Sequence, residues 1–526
     1  MLIKKQKVKI KNLVITGGAL TPDLIQSYIR NKNISVEAST AALQKVTNSH
    51  LFLNKNLTSR VLYGINTGFG PMADHILAKN QLLELQKNLI LSHAVGMGDP
   101  IPQEFVLAAM IVRLNTLAKG HSGVSPALLA RLQLLINKRI IPVIPEHGAV
   151  GTSGDLVQLA HIALALIGEG NVLYEGKLWE TKKLFIKLKI PSYQLQPKEG
   201  LSLINGTSVM SGIGSLLTIH ANRLIILSLL LGALALETVQ AYSDSISEDL
   251  HGVRPHPGQM AAANHLRNIL KSSKLLTDRE KVSERHQVGQ HIQELPEAIQ
   301  EVYSLRCIAQ IVGPILETYE HTKQVIGIEI NSATDNPIIV AEKGLFLHGG
   351  NFHGEYVATA LDELKAGMVK LTMLSERRTN FFLNNKTNRR FPPFMNLYKP
   401  GLSLALQGLQ FVATSTTALS QTLGFPHRLH SIPTNGDNQD VVSMGTDGAL
   451  LTAKVIDNAY IVLTIELITL LQAVDHLGIQ NKLSQKTKAL YFGARKLLPI
   501  IHTDRVLSKE LHLLQTYLRD HCVLSL

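Results

Sequence analysis

The segment EHGAVGTSGDL, residues 146–156, sets a serine, Ser153, between Thr152 and Gly154 in a stretch that also holds Gly148 and Gly151. A hydrolase elbow needs G-x-S-x-G, and here the second glycine follows the serine directly, as it also does after Ser122 in GHSGV. Acyl transfer to Ser153 is therefore not what the spacing indicates. GTSVMSGIG lacks the lysine with which a phosphate loop reaches its ligand. The 21 histidines include no H-E-x-x-H, and His427 and His430 in FPHRLHSIP have no third and fourth ligand of suitable type nearby, so no metal site is expected. The chemistry that remains belongs to the backbone. The Gly154 nitrogen, unhindered by a side chain, would close a five-membered ring on the Thr152 carbonyl carbon if the loop bends tightly enough. Loss of water from that ring and of the Ser153 hydroxyl leaves an exocyclic methylidene on an imidazolone, an electrophile that no ordinary side chain provides.

Such a turn must be held by a framework, and the rest of the chain reads as mainly helical. Apolar residues recur at spacings of three and four over Asn80 to Val95, Gln103 to Leu117, Pro126 to Ile136 and Asp155 to Ile167. Longer helices are predicted for Thr207 to Tyr242, Ala298 to Ile330, His353 to Thr379, Leu402 to Leu423 and Gly445 to Val474, and elements of that length must pack side by side. Strand candidates are short: KVKIKNLVITG near the start, and hairpins in NVLYEGKLWE and NPIIVAEKGLFLHGG. The proline- and glycine-bearing IPSYQLQPKEGLSLING divides a mixed N-terminal domain, 1–203, from a long-helix bundle, 204–526. There is no internal repeat and no low-complexity segment.

Composition narrows the function classes. Hydrophobic residues are 45% and charged residues 17% of the 526, far from the balance of a disordered chain and in keeping with a large buried or intersubunit area. The net charge of +12 is spread along the chain, and with aromatics at 5% a nucleic-acid surface is not expected; a mild positive field would favour small carboxylates. Two cysteines, Cys307 and Cys522, make no disulfide framework, which points to a reducing compartment. Leu224 to Leu236 is too short an apolar run to cross a bilayer and reads as a buried core helix, and the basic start has no adequate apolar signal core, so a cytoplasmic location is expected.

From RLNTLAKGHSG to ALALIGEG the chain resembles, nearly end to end, the signature region of the aromatic amino-acid ammonia-lyase family, whose cofactor is a methylidene-imidazolone. YGINTGFG, LSHAVG, LINGTSVM, YSLRC, NSATDNP, GGNFHGE and NQDVVSMG extend the likeness in order over most of the chain. The resemblance implies a fumarase/aspartase-like bundle, a homotetramer with active sites shared between subunits, and a cofactor built from Thr152, Ser153 and Gly154. It implies Tyr63 as the base that removes a β-proton, although a phenol is a weak base at neutral pH without help from its surroundings. Asn205 would donate to the imidazolone oxygen, its alternative reading being a plain helix N-cap. Arg306 would clamp the substrate carboxylate in bidentate fashion. Tyr303 and Gln300, at i−3 and i−6 from it, would reach the same pocket if this stretch is a helix. Phe352 would line the pocket, whereas Asp335 and Glu355 are read as holding loops and helix ends.

Substrate identity rests on two positions that disagree. Ser92 and His93 look like the pair in the family's histidine-specific members, and His93 would hydrogen-bond an imidazole ring. Gln439 stands where those members place a glutamate and looks like the phenylalanine or tyrosine type, although an amide can also pair with a neutral imidazole. The expected reaction is elimination of ammonia from L-histidine to give urocanate. Phenylalanine or tyrosine ammonia-lyase stays open, as does an aromatic 2,3-aminomutase, because Thr152 replaces the family's usual alanine and threonine occurs among its aminomutases. Gln158 and Val302 also replace prolines common in the family. An inactive structural relative is the reading from another class, and the joint presence of Tyr63, Ser153, Asn205, Tyr303 and Arg306 argues against it.

Overall fold

The computed structural model describes residues 12–285, 291–292, 294–295 and 298–521. Cys522 and the first eleven residues, on which part of the expected N-terminal strand falls, lie outside the described residues. The architecture is mainly α, with four small sheets among the described residues. Two compact units form, each assembled from three stretches of chain: Met1–Ile219, Thr322–Asp362 and Pro426–Leu450 make the first, and the remainder makes the second. The chain changes unit inside the helices Ser208–Val239, Ile308–Glu329, Glu355–Leu383 and Gly445–Leu477 as well as in one loop.

In the first unit, strands Asn12–Ile15 and Ser35–Ala38 pair in parallel, Leu13 opposite Val36 and Ile15 opposite Ala38, all four side chains buried. The helix between them, Pro22–Arg30, starts where Thr21 Oγ1 accepts the Leu24 N–H at 3.3 Å and Pro22 needs no donor. Helix Gln103–Ala118 is buried on every side from Phe105 onward, in keeping with its largely apolar composition. Its two strongly polar residues are bonded internally: Asn115 donates to the Ile330 carbonyl at 2.8 Å, and Arg113 donates to the carbonyls of Ser202 and Asn205. The hairpin of Asn171–Tyr174 with Lys177–Glu180 and that of Ile338–Val340 with Leu345–Leu347 form where alternation predicts them.

Among its described residues the second unit holds helices joined by loops, and no strand. Arg378 Nε meets Glu466 Oε1 at 2.5 Å with neither side chain exposed, while Ser375 donates to the same carboxylate and Arg378 donates to Ser228. These bonds offset part of the cost of burying the pair, and Arg378 Nη1 is left without a hydrogen-bond partner among the described residues. The apolar run Leu224 to Leu236 lies within helix Ser208–Val239, which is buried over most of its length.

Two predicted helices are shortened for visible reasons. Residues 298–302 are not helical; the helix begins at Tyr303, ends at Arg306, and resumes at Ile308. The Ala298 carbonyl accepts from the Tyr242 hydroxyl at 3.2 Å and the Ile299 carbonyl from Arg279 at 2.7 Å, so side chains take the acceptors a helix would use. Likewise the helix expected from Leu402 begins at Gln407, because the Asp504 carboxylate collects the Ser403 hydroxyl and the Leu404 and Ala405 N–H groups.

Candidate active site

The serine turn is anchored from four directions within the first unit. Gly154 has φ +74°, and a Cβ there would stand 2.1 Å from the Gly206 carbonyl oxygen, so only glycine fits. That oxygen accepts the Asp155 N–H at 2.8 Å. The Gly151 carbonyl accepts from the Gly354 N–H at 2.9 Å and from Ser443 Oγ at 3.0 Å, and Thr152 Oγ1 donates to the Val441 carbonyl at 3.2 Å. LINGTSVM, GGNFHGE and NQDVVSMG, far apart in sequence, thus all converge on one turn.

Behind it lies Asp155, fully buried. Its carboxylate accepts the Val209 and Met210 N–H groups at 2.7 and 3.1 Å, at the start of helix Ser208–Val239, and the Thr446 hydroxyl. Burial pushes its pKa up to about 6, against the pull of Thr446, the two amides and Arg113. Desolvation likewise brings Arg113 down to about 10, opposed by Asp335 and Asp155. Asp335 is itself paired with Lys198 at 2.7 Å, both fully buried. Arg113 and Lys198 were not singled out by spacing, because a lone cation in an apolar or loop sequence carries no local signal.

In front of the turn is a cavity of about 820 Å³, whose lining includes Tyr63, Ser92, His93, Thr152, Ser153 and Asn205. Phe352 and Gln439 also line it. Asn205 Nδ2 donates to the Ser153 carbonyl oxygen at 3.0 Å, and Gln439 Nε2 donates to Ser153 Oγ at 2.9 Å. Asn205 is the residue that ends helix Glu199–Ile204, and its side chain is given to the turn, not to capping the helix that follows. Tyr63 Oη accepts the Gly70 N–H at 3.1 Å, which fixes its position within its own loop. His93 Nδ1 lies 2.9 Å from the Leu89 carbonyl, an acceptor, so Nδ1 is the donor in this contact; in the uncharged tautomer this selects, Nε2 is the acceptor.

Gln158 is buried and donates to the Glu146 carbonyl at 3.0 Å, tying down the strand that leads into the turn. His427 stands near Asp447, at 3.6 Å, and packs against His430 with ring centroids 5.0 Å apart; among the described residues no group of three or more metal-ligating side chains occurs.

Three expected pocket residues belong to the second unit and do not line this cavity. Gln300 sits in the non-helical stretch, so the helical spacing that was to align it with Tyr303 and Arg306 does not exist. Tyr303 is 69% exposed, with the Arg306 guanidinium 4.9 Å over its ring, and Arg306 Nε has no hydrogen-bond partner among the described residues. Thr434 and Asn336, which do line the cavity, were missed because isolated small polar residues in loops are unremarkable in sequence.

Residues 20–496 match the family model described as aromatic amino acid lyase. The chain belongs to the aromatic amino acid lyase family. It is 37% identical to a histidine ammonia-lyase of Geobacillus thermodenitrificans, over 97% of this chain and 98% of that one. Among solved structures, a tyrosine aminomutase from Streptomyces globisporus superposes with a TM-score of 0.92 at 35% identity, covering 97% of both chains. A histidine ammonia-lyase from Trypanosoma cruzi does so with a TM-score of 0.86 at 31% identity, covering 97% of this chain and 93% of that one. This aromatic amino acid lyase is accordingly a carbon–nitrogen lyase acting on an aromatic amino acid, with the mainly helical architecture of its relatives.

Proposed function

We propose that the enzyme converts L-histidine to urocanate and ammonia, using a methylidene-imidazolone formed from Thr152, Ser153 and Gly154. The observation that carries this is the Asn205 Nδ2 donor, 3.0 Å from the Ser153 carbonyl oxygen at the wall of a cavity that also holds Tyr63 and His93. The turn fits the group: Gly154 is the residue whose nitrogen would close the ring, and the Gly206 carbonyl leaves no space for a side chain there. When formed, the group supplies a carbon electrophile to which an α-amine adds, turning it into a better leaving group.

The chain's own residues do the rest. Asn205 Nδ2 is placed to stabilise negative charge on the Ser153 carbonyl oxygen. Tyr63 Oη, steadied by the Gly70 amide, receives the β-proton. His93 Nε2 accepts the N–H of the substrate imidazole, and the Phe352 ring closes the cavity against water. Arg306 and Tyr303 enter from another copy of the chain, Arg306 to hold the carboxylate, in a cytoplasmic homotetramer.

A second reading has its own support. A tyrosine hydroxyl would donate to His93 Nε2 as well as an imidazole N–H does, and the tyrosine aminomutase superposes at 0.92. Incubation of the purified enzyme with histidine, tyrosine and phenylalanine, followed by ultraviolet absorbance and product chromatography, decides between the two. Urocanate as the main product is expected; a β-amino acid from tyrosine would replace histidine elimination with amine migration, and no product from any of the three would end both readings.

A further inference from the structure

The Gln439 amide has a chemical partner that substrate recognition does not explain. Its Nε2 donates to Ser153 Oγ at 2.9 Å, and Oγ is an atom that the finished cofactor no longer contains. The amide is held in this orientation: Thr434 Oγ1 donates to Gln439 Oε1 at 3.1 Å, which turns the NH2 end toward Ser153. The backbones of the same two residues bond in both directions, at 3.0 and 3.3 Å, so the base of the side chain is fixed as well. Gln439 is only 8% exposed, where a hydrogen bond to an oxygen gathering negative charge is worth more than in water.

We propose that Gln439 is the donor that carries off the Ser153 hydroxyl during formation of the cofactor, an inference that rests on the ring reading above. Two waters leave in all. In the first, the Gly154 nitrogen bonds to the Thr152 carbonyl carbon, and the Thr152 oxygen departs with the hydrogens of the Gly154 and Ser153 nitrogens. In the second, the Ser153 Cβ–Oγ bond breaks with its electron pair on oxygen. The pair of the Cα–H bond becomes the new Cα–Cβ double bond, and the Cα proton joins the departing hydroxide as water. Gln439 Nε2–H acts on this second loss, stabilising the oxygen as it takes up charge. Once Oγ has gone the amide has lost its acceptor and, lining the cavity, is free to meet the ring of a bound amino acid. One side chain thus serves maturation first and recognition afterwards.

The test follows maturation by intact mass of the full-length chain at timed intervals after cell-free synthesis, so the readout does not depend on turnover. The parent is expected to reach a deficit of two waters. Gln439→Leu should reach it about tenfold more slowly or worse, accumulating a species short of one water, since a lost donor of this kind is worth about one decade in rate. Gln439→Glu keeps the size but cannot donate while ionised, so its maturation should be slow near pH 8 and quicken as the pH is lowered to about 5.5. A packing role alone would lower the melting temperature without producing that pH profile. Circular dichroism checks the fold of each variant, and Gln439→Glu carries the test if the leucine variant does not fold. Both variants losing two waters at the parental rate would overturn the role of Gln439 while leaving the ring intact. A parent that never shows the deficit would overturn the ring reading itself, and this inference with it.

Discussion

The role proposed for His93 in ring recognition rests on which of its two nitrogens is already bonded within the chain. With Nδ1–H committed to the Leu89 carbonyl at 2.9 Å and Ser92 Oγ donating to the same carbonyl at 3.1 Å, the last turn of helix Leu82–His93 presents one fixed acceptor at a residue lining the cavity. A site built to pair with a donor on its ligand discriminates strongly, because a ligand without that donor leaves the acceptor unpaired. Replacing the pair together, His93→Leu with Ser92→Phe, should therefore lower kcat/KM for histidine relative to phenylalanine by about a hundredfold. Competition between the two amino acids, read by product chromatography, measures that ratio. An unchanged ratio would place ring recognition elsewhere in the cavity. Much of this was legible in sequence, since Ser92, His93, Asn205 and Gln439 all stand out within motifs. What was not legible is the partner of each: Gln439 reads as a substrate contact, yet its amide is spent on Ser153 and steadied by Thr434, an unremarkable loop residue.

At the scale of elements, periodicity found helices well and their ends poorly. Gln103–Ala118 and Pro126–Asn137 agree with the pattern to within a residue at either end, because burial and capping are local. The breaks at 298–302 and before Gln407 come from Arg279, Tyr242 and Asp504 reaching in from elsewhere in the second unit, which no local pattern encodes. Asp155 is the opposite case, an adjacent residue whose role depends on burial. Its folded pKa of about 6 lies above the ordinary 3.8, so the folded state holds the proton over a range where the unfolded chain has lost it. The stability this group contributes is complete below about 3.8 and is lost as the pH rises through about 6, a change on the order of 3 kcal/mol. Asp155→Asn removes the titration while keeping an oxygen for the Val209 and Met210 amides. Measured side by side, its melting temperature should gain on that of the parent as the pH is raised across this window. A gap that stays constant with pH would mean that the carboxyl is not desolvated as its burial implies.

At the scale of the whole molecule, the cavity and the residues expected to complete it belong to different compact units, so the question is how many chains one site requires. The expected cut at residue 203 follows the composition of the sequence, whereas each compact unit draws on three stretches joined mainly through long helices. The most apolar windows of Ser208–Val239 and Gly445–Leu477 are 78% and 89% buried, which accounts for their hydropathy as core. Exposed apolar side chains remain on both units, Met72, Ile76 and Met97 on one and Leu402, Leu404 and Phe411 on the other. If copies of the chain cover these residues and exchange Arg306 as they do so, two inactive variants should repair one another. Tyr63→Phe and Arg306→Ala, each inactive alone, would on equal co-expression combine at random. A site that takes Tyr63 from one subunit and Arg306 from another would then be intact about a quarter of the time. Turnover of the mixed assembly, normalised to its measured subunit ratio, should approach that fraction of the parental rate. If both residues of a site came from one chain, every site would carry a defect and the mixture would be as inactive as its parts.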